Sequence, residues 1–319
     1  MPSSILLSGA SGLLGRALRR SFEARGIPCT QLVRSAARPG SSEIFWNPYA
    51  TTTSTEISAT LARLEGARAA IHLSGDNIGA GRWTRAKKQR IWESRVASTQ
   101  AIAALLSQMQ SPPEVLICAS AVGYYGNRGD SVLTEDSPAG SGFLAETCLA
   151  WEQAAVAARQ RGIRVVHLRL GAVLAREGGA LEKMLPIFRK GLGGRLGNGS
   201  QWMSWISLPD VVRSVEYLLA NATLSGPVNA VAPQPVTNTE FTQTLARLLH
   251  RPAGFQVPAL VLRALLGEMA DSVLLSSTRA VPARLQQAGF IFEHATQESA
   301  LRDTLRDMLY DALAPEVLG

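Results

Sequence analysis

Short apolar runs rich in β-branched residues alternate, through the first half of the chain, with longer stretches in which apolar residues recur every three or four positions. The short runs predict strands at Ser4–Ser8, Cys29–Val33, Glu43–Trp46, Ala69–Leu73, Val115–Ala119 and Arg164–Leu168. The longer stretches predict helices at Gly12–Arg25, Ile57–Leu64, Thr84–Gln108 and Leu144–Arg161. This alternation is typical of an α/β fold in which helices cover both faces of a parallel sheet.

The pattern changes after residue 168. Glycines become frequent between Gly178 and Gly199, which predicts a loop-rich stretch. A shorter strand follows Gly226, then a helix over Thr239–Leu249 and a mainly helical tail from Pro258 to Leu313. The chain has 319 residues, about twice the usual size of one domain. We predict a first domain over residues 1–225, with 169–205 on the substrate side, and a small α-rich substrate or lid domain over 226–319.

The composition narrows the class of protein. Hydrophobic residues make up 46% of the chain, which supports a large core and excludes a disordered or fibrous protein. The 32 Lys and Arg residues outnumber the 25 Asp and Glu residues, so the formal net charge is +7. These cations are spread along the chain, and the usual nucleic-acid motifs are missing. We therefore expect the positive charge to serve a phosphorylated small ligand, and neither a nucleic acid nor a membrane surface.

Cysteines and histidines give little sign of a metal or disulfide framework. Cys29, Cys118 and Cys148 lie far apart, which is typical of reduced, buried thiols in a cytosolic protein. The four histidines lack the spacing of metal ligands, so no metal site is expected. The chain opens without a basic leader and contains no apolar stretch of ~20 residues. A cytoplasmic location is the expectation.

The strongest local motif joins the first predicted strand to the first predicted helix. It reads Ser8-Gly9-Ala10-Ser11-Gly12-Leu13-Leu14-Gly15. Gly9 permits a tight turn, Gly12 lets backbone N–H groups approach a pyrophosphate, and Gly15 lets the helix pack close to the sheet. We predict that this segment, including Ser11, Leu13 and Leu14, binds a dinucleotide, and that the sheet is a doubly wound Rossmann domain.

The residues after the second predicted strand indicate which dinucleotide binds. An NAD site usually has Asp or Glu here, whose carboxylate binds the ribose 2′-hydroxyl. This chain has Leu32-Val33-Arg34-Ser35 and no acid before Glu43. A guanidinium beside a hydroxyl donor suits a 2′-phosphate, because both form charge-assisted hydrogen bonds with it. We therefore predict NADP(H) as the cofactor, with Arg34 and Ser35 in contact with it.

Further motifs occur in the order seen in a known protein family. They are Leu73-Ser74-Gly75-Asp76-Asn77-Ile78, Arg82-Trp83-Thr84, Ser94-Arg95-Val96, Ser120-Ala121-Val122-Gly123-Tyr124-Tyr125-Gly126, Trp151-Glu152, Leu168-Arg169-Leu170-Gly171, Gly197-Asn198-Gly199-Ser200-Gln201-Trp202, Trp205-Ile206, Pro282 and Gly289-Phe290. Through them the chain resembles, nearly end to end, the extended short-chain dehydrogenase/reductase superfamily. Within it, the chain is similar to the atypical NAD-dependent epimerase/dehydratase proteins, some of which are labelled cell-division inhibitors. The resemblance implies a dinucleotide domain followed by a small C-terminal domain of unknown function.

The resemblance also implies roles for two loops that follow predicted strands. Leu73, Ser74 and Gly75 would line the path from adenosine to ribose. Arg169, Leu170 and Gly171 would form the wall near the nicotinamide. Both positions agree with the rule that ligands lie beyond the carboxyl ends of parallel strands.

The catalytic residues implied by the superfamily are only partly present. Active members pair a Ser or Thr with Tyr-x-x-x-Lys, in which the ammonium favours the phenolate form of the tyrosine. Ser120 stands at the serine position and would also contact the cofactor, but Leu144 and Cys148 stand where the tyrosine and lysine belong. Three interpretations stay open: Tyr124 or Tyr125 donates the proton, the protein binds NADPH without turnover, or solvent or substrate supplies the proton.

Two segments contain candidate substrate or anion ligands. Arg82 and Lys88 belong to a cationic run around a predicted helix N-terminus, where the macrodipole disfavours positive charge unless an anion binds. Gln201 and Trp202 occupy the region where sugar-nucleotide enzymes place an arginine for the substrate phosphate. Their presence argues against a nucleotide sugar and favours a flatter or less charged ligand.

The sequence therefore predicts an NADP(H)-binding oxidoreductase or epimerase that acts on a small carbonyl or hydroxyl compound. The alternative is a non-catalytic NADPH-sensing regulator that contacts a protein partner, for example in cell division. The missing Tyr/Lys pair favours the regulator. The retained Ser120 and the second domain favour the enzyme.

Overall fold

The computed structural model describes residues 4–50 and 53–306. The strands in these residues are β1 (Ile5–Ser8), β2 (Cys29–Val33), β3 (Glu43–Phe45), β4 (Ala69–His72), β5 (Val115–Ala121), β6 (Val132–Leu133), β7 (Arg164–Leu170), β8 (Ala172–Leu174), β9 (Gly194–Leu196), β10 (Trp202–Met203), β11 (Trp205–Ser207), β12 (Gly226–Ala230), β13 (Val236–Thr237), β14 (Phe255–Val257) and β15 (Arg279–Ala280). The helices are α1 (Leu13–Ala24), α2 (Ser54–Leu64), α3 (Arg85–Glu93), α4 (Val96–Ser107), α5 (Phe143–Gln153), α6 (Val156–Gln160), α7 (Gly179–Arg189), α8 (Leu208–Ala220), α9 (Asn238–Leu248), α10 (Ala259–Leu266), α11 (Ala283–Gln287) and α12 (Gln297–Thr304). A 3₁₀ turn covers Val122–Tyr125, and a π-helical turn covers Ala270–Leu274.

The central sheet positions the ligand crevice. In the described residues it contains seven strands in the order β12-β7-β5-β4-β1-β2-β3, and every neighbouring pair is parallel. The chain builds outward from β1 in one direction through β2 and β3, and in the other direction through β4, β5, β7 and β12. A crevice therefore opens beyond the carboxyl ends of β1 and β4, where the strand order reverses. This topology confirms the predicted doubly wound Rossmann fold.

The strands form where the sequence is apolar because both faces of the sheet are covered. In β1, Ile5 and Leu7 pack on one face with Phe22 of α1. Leu6, between them, packs on the other face with Leu106 of α4. Each such side chain contributes about 1.5–3 kcal/mol when it is fully buried. A run of consecutive apolar residues is therefore the expected pattern for these strands.

Two predicted helices are each divided in the structure. The helix expected over Thr84–Gln108 is α3 followed by α4, because tertiary contacts interrupt it at Ser94 and Arg95. The Ser94 hydroxyl accepts a hydrogen bond from the backbone N–H of Asp76 at 2.9 Å, and the Arg95 guanidinium donates to the carbonyl of Asp76 at 3.0 Å. The interruption thus holds the loop after β4. The helix expected over Leu144–Arg161 is likewise α5 followed by α6.

Residues 178–199 were predicted to be loop-rich, but they contain α7 and β9, and a second hydrophobic core joins α7 to the C-terminal helices. It includes Leu185 of α7, Phe241 and Leu245 of α9, and Leu301 of α12. The small helical C-terminal region agrees with the prediction, although residues 307–313 of the predicted helical tail lie outside the described residues. The strand that follows the predicted boundary at residue 225 is β12, which pairs with β7 in the central sheet.

None of the described helices is long and apolar enough to cross a bilayer. No group of three or more His, Cys, Asp and Glu side chains in the described ranges is arranged to hold a metal ion.

The three cysteines are free, and burial raises the pKa of both Cys118 and Cys148 to about 12. These two thiols are therefore protonated at neutral pH.

Two buried histidines make the fold sensitive to acid. Burial lowers the pKa of His72 and of His167 from 6.5 to about 4. The stabilisation that follows from keeping these rings neutral is complete above the unfolded-state pKa and is lost as the pH falls towards 4, because the unfolded chain binds the protons first. We expect the free energy of unfolding to fall by about 2 kcal/mol for each histidine between roughly pH 8 and pH 5, measured by urea denaturation.

Substitutions separate these histidines from other titrating groups. His167→Gln should remove about half of the fall in the free energy of unfolding that the two histidines cause between roughly pH 8 and pH 5. His250→Asn is the control, because His250 is exposed and its φ of 51° is one that Asn tolerates. His250→Asn should leave the pH profile unchanged. An unaltered profile in folded His167→Gln would contradict the prediction.

Candidate cofactor-binding site

The turn between β1 and α1 has no room for side chains at two glycine positions. Gly9 has a φ of +74°, and a Cβ at this residue would lie 2.8 Å from the carbonyl carbon of Leu73. A Cβ at Gly15 would lie 2.2 Å from the carbonyl oxygen of Gly9. Helix α1 therefore packs directly on the turn, and the turn packs directly on the loop after β4.

The first turn of α1 offers backbone N–H groups to an anion. Gly12 is the N-cap residue, no side chain caps it, and no acidic residue lies in the first turn of the helix. The N–H groups at this end therefore keep the partial positive charge of the helix dipole. Arg16 stabilises the turn by donating to the carbonyl of Ser11 at 2.6 Å. This arrangement fits the diphosphate of a dinucleotide.

A cleft of about 950 Å³ opens beside the turn. Its walls come from the glycine turn, the end of β2, the residues after β3 and the loop after β4. Of the residues predicted to bind the cofactor, the cleft brings together Gly9, Ser11, Gly12, Arg34, Ser35, Leu73, Ser74 and Gly75. Leu13, Leu14 and Gly15 lie in the first turn of α1 and are not part of the cleft lining.

Arginines give the cleft its electrostatic character. Arg38 forms an ion pair with Glu43 at 2.7 Å, and hydrogen bonds from Arg38 hold the pKa of Glu43 below its usual range. Arg34, which also lines the cleft, makes no hydrogen bond or ion pair with the residues described. The buried Nε of Arg19 also lacks a hydrogen-bond partner within the described ranges. The cleft thus contains cationic donors whose charge is not neutralised, as binding of a phosphate group requires.

The cleft contains residues that the sequence reasoning missed. Arg38 could have been found, because it lies in the same short connection after β2 as Arg34 and shortly precedes the acid Glu43. Trp46 and Tyr49 form an aromatic wall after β3, and no spacing in the sequence indicates that they face the cleft. The ring of Trp46 packs edge-on against His72, with 6.3 Å between the centroids.

Ser120 lies near the carboxyl end of β5, outside the cleft lining. Its hydroxyl donates to Oε1 of Glu152 at 2.8 Å. Glu152 in turn binds Arg169 through two hydrogen bonds, at 2.8 and 2.9 Å. All three residues are buried. Burial alone lowers the pKa of Arg169, but the hydrogen bonds and charge of Glu152 more than reverse this and raise it above its usual value.

The two candidate tyrosines contact the same ion pair. Arg169 donates to the Tyr125 hydroxyl at 2.9 Å, and this hydroxyl donates to Oδ1 of Asn229 at 2.7 Å. The guanidinium carbon of Arg169 lies 3.5 Å from the ring centroid of Tyr124. Burial raises the pKa of Tyr125 above its ordinary value in spite of Arg169. The hydroxyl of Tyr125 is therefore neutral, fully buried and paired inside the protein.

Leu144 and Cys148, at the positions predicted for the Tyr/Lys pair, are in apolar contacts. A Cβ at Gly123 would lie 3.5 Å from Cβ of Leu144 and 3.9 Å from Sγ of Cys148, so both residues pack on the turn after β5. Leu144 also packs against a cluster that includes Trp83 and Met269. At the two positions predicted for the proton-transfer pair, this chain therefore has close hydrophobic contacts.

The predicted anion ligands are dispersed. Arg82 is exposed, and its guanidinium is 3.4 Å from a Cβ built on Gly267. Lys88 pairs with Glu268 at 2.9 Å. Gln201 is buried and donates to the carbonyls of Leu196 and Leu274, and the Trp202 indole donates to Asp130. The structure brings none of these four side chains into the cleft.

The two remaining residues predicted for the nicotinamide wall also lie outside the cleft lining. Leu170 is half-buried and packs on the core of the sheet. A Cβ at Gly171 would lie 2.6 Å from the carbonyl oxygen of Ser204. Gly171 therefore lets the end of β7 lie directly against the segment before β11.

The fold, the glycine turn and the arginine-lined cleft together define a dinucleotide-binding protein of the short-chain dehydrogenase/reductase type. Residues 5–230 match the NAD dependent epimerase/dehydratase family, and residues 257–304 match a domain of unknown function. The chain belongs to the NAD-dependent epimerase/dehydratase family.

Relatives resemble the chain over most of its length. Epimerase family protein Mb2239 of Mycobacterium bovis is 43% identical over 297 residues, which cover 93% of this chain and 96% of that protein. The chloroplastic epimerase family protein SDR39U1 homolog of Arabidopsis thaliana is 36% identical over 302 residues, with 94% and 86% covered. The crystal structure of human epimerase family protein SDR39U1 with NADPH has a TM-score of 0.84 at 30% identity, and 95% and 99% of the two chains are covered.

Removal of one partner of the buried ion pair should be costly. Glu152→Gln leaves the buried Arg169 guanidinium without its counter-charge, so we expect the free energy of unfolding to fall by about 3–5 kcal/mol. Urea denaturation followed by circular dichroism measures this change.

Glu146→Gln is the matched control, because Glu146 is exposed on the same helix, α5. Its effect should stay within about 1 kcal/mol, the size of an interaction with the helix dipole. Equal losses for the two variants would show that the ion pair has no special role in stability.

Proposed function

We propose that this protein binds NADP(H), in preference to NAD(H), in the cleft beside the glycine turn. The observation that carries the proposal is how the two arginines after β2 are paired. Arg34 is unpaired among the described residues, and Arg38 is held at the cleft by Glu43. Glu43 is the first acidic residue after β2 in the sequence. It is paired with Arg38 and therefore does not offer a free carboxylate to a ribose 2′-hydroxyl. The NADPH in the human SDR39U1 structure supports the same choice.

The residues of the cleft fit the parts of such a cofactor. The N–H groups at the start of α1 would hold the diphosphate, and Arg34, Ser35 and Arg38 would bind the 2′-phosphate. Trp46 and Tyr49 provide flat surfaces for the adenine base. When bound, NADP(H) supplies a site that gives or accepts hydride.

The reaction that we propose is oxidation–reduction or epimerisation of a small compound with a carbonyl or hydroxyl group. Family membership supports this reaction class. The hydroxyls of Ser120 and Tyr125 both donate to buried partners in the protein, Glu152 and Asn229. The proton that accompanies the hydride would therefore come from Tyr124, from solvent or from the substrate itself.

A non-catalytic NADPH-sensing regulator, acting through a protein partner, is the second candidate. The observation in its favour is that the ion pair of Glu152 and Arg169, with the apolar contacts of Leu144 and Cys148, occupies the place of the usual proton-transfer residues. Oxidation of NADPH with quinones, aldehydes and keto acids separates the two candidates. Turnover of any of these compounds supports the enzyme, and tight NADPH binding without turnover supports the regulator.

The cofactor preference is tested by replacing the free arginine. Arg34→Gln should weaken NADPH binding about 10–100-fold, because charge-assisted hydrogen bonds to the 2′-phosphate are lost. NADH has no 2′-phosphate, so its dissociation constant should stay within about twofold of the wild-type value. Isothermal titration calorimetry measures both constants.

Arg20→Gln is the charge-matched control, since Arg20 is exposed on α1 and does not line the cleft. It should leave both dissociation constants unchanged. Equal weakening of NADPH and NADH by Arg34→Gln would remove the 2′-phosphate assignment.

A further inference from the structure

Four polar side chains form a hydrogen-bonded row that leads inward from the cleft. Ser74, in the cleft lining, lies 3.3 Å from the Ser8 hydroxyl at the end of β1. Ser8 Oγ is 2.6 Å from Nδ1 of His72 at the end of β4, and Nε2 of His72 is 3.1 Å from Oγ of Ser98 in α4. Ser8, His72 and Ser98 are buried, at 2%, 0% and 0% exposure.

All the hydrogen bonds in this row point the same way: each group donates its hydrogen inward, away from the cleft. Ser98 donates its only hydroxyl hydrogen to the carbonyl of Ser94 at 2.7 Å, so its oxygen accepts from Nε2 of His72. The His72 ring is neutral, because burial lowers its pKa to about 4, and a neutral imidazole has one N–H and one acceptor nitrogen. Nδ1 therefore accepts from Ser8. The Ser8 oxygen accepts in turn from Ser74.

The direction of the row decides what Ser74 offers to a ligand. Its hydrogen is used by Ser8, so only the lone pairs of its oxygen remain for the cleft. The backbone nitrogen of Ser74 would lie 3.0 Å from a Cβ built on Gly9, which places the residue beside the phosphate-binding turn. A phosphate oxygen also only accepts, and so gains nothing from this hydroxyl. A ligand hydroxyl can donate to it.

We propose that His72 is a positioning residue for ligand binding: through Ser8 it fixes the Ser74 hydroxyl as the acceptor for a ribose hydroxyl of the bound dinucleotide. This inference rests on the proposed function, since the ribose belongs to the proposed cofactor. It goes beyond packing, because a histidine that only filled space against Trp46 would not set the direction of a hydroxyl in the cleft.

Two substitutions of His72 separate positioning from packing. In His72→Asn the amide oxygen takes the place of Nδ1 and still accepts from Ser8. In His72→Gln the amide takes the place of Nε2 and leaves Ser8 without its acceptor. Both remove the ring, so both should lower the melting temperature. Calorimetry should give an NADPH dissociation constant within about twofold of wild type for His72→Asn, and one about 3–10-fold weaker for His72→Gln.

Ser74→Ala is the companion variant, because it removes the hydroxyl that His72 is proposed to fix. It should weaken NADPH by the same factor of about 3–10, and adding His72→Gln to it should cause no further loss. Equal affinities for folded His72→Asn and His72→Gln would overturn the proposal. So would a loss from His72→Gln that persists in the Ser74→Ala background.

Nuclear magnetic resonance of the free protein tests the row without any cofactor. The ring nitrogen shifts of His72 should identify the tautomer that carries its hydrogen on Nε2. The opposite tautomer, together with normal NADPH binding by the wild type, would overturn the positioning role and leave the proposed function intact. Failure of the wild type to bind NADPH would contradict the proposed function and, with it, the ribose assignment.

Discussion

The close approach of the Gly9 carbonyl to the Cα of Gly15 is the contact on which the site depends. Because a Cβ at residue 15 would lie 2.2 Å from that oxygen, α1 starts directly on the turn that ends β1. This contact aims the positive end of the α1 dipole at the crevice. It also places Arg16 and Arg19, on the following turn of the helix, along the cleft wall.

Two arginines show how burial separates a ligand-binding cation from a structural one. Arg169 is buried and forms two hydrogen bonds with Glu152, so its charge is satisfied within the protein. Arg34 is exposed at the cleft and has no ion-pair partner in the described part of the chain. The first stabilises the region around Ser120, the predicted catalytic serine, whereas the second remains available to a phosphate group. This contrast is why the structure supports cofactor binding more strongly than any particular reaction.

Much of the fold follows from local sequence signals. Strands such as β1 are buried on both faces and therefore appear as short apolar runs, and the glycine turn appears as three glycines at fixed spacing. Arg34 was predictable because it directly follows a strand whose end faces the crevice. The division between α3 and α4 was not predictable, since it depends on contacts of Ser94 and Arg95 with Asp76, a residue distant in sequence. Tertiary geometry overrides helical periodicity there.

Contacts between residues that are distant in sequence also explain why the hydrogen-bond partners in the sites could not be predicted. The parallel register that sets Ser8 beside His72 joins residues 64 positions apart, and no spacing rule connects them. The pairing of Glu152 with Arg169 likewise requires that α5 and β7 be adjacent in space. Residue types can be recognised one by one, but their hydrogen-bond partners are set by the packing of the sheet and helices.

The central claim is that the cleft recognises the phosphorylated ribose of the adenosine half of the cofactor. Calorimetric titration of the wild-type protein with adenosine 2′,5′-bisphosphate and with adenosine 5′-monophosphate tests it most directly, because the two ligands differ only in the 2′-phosphate. We predict at least about tenfold tighter binding of the bisphosphate. Equal affinity for the two ligands would contradict it.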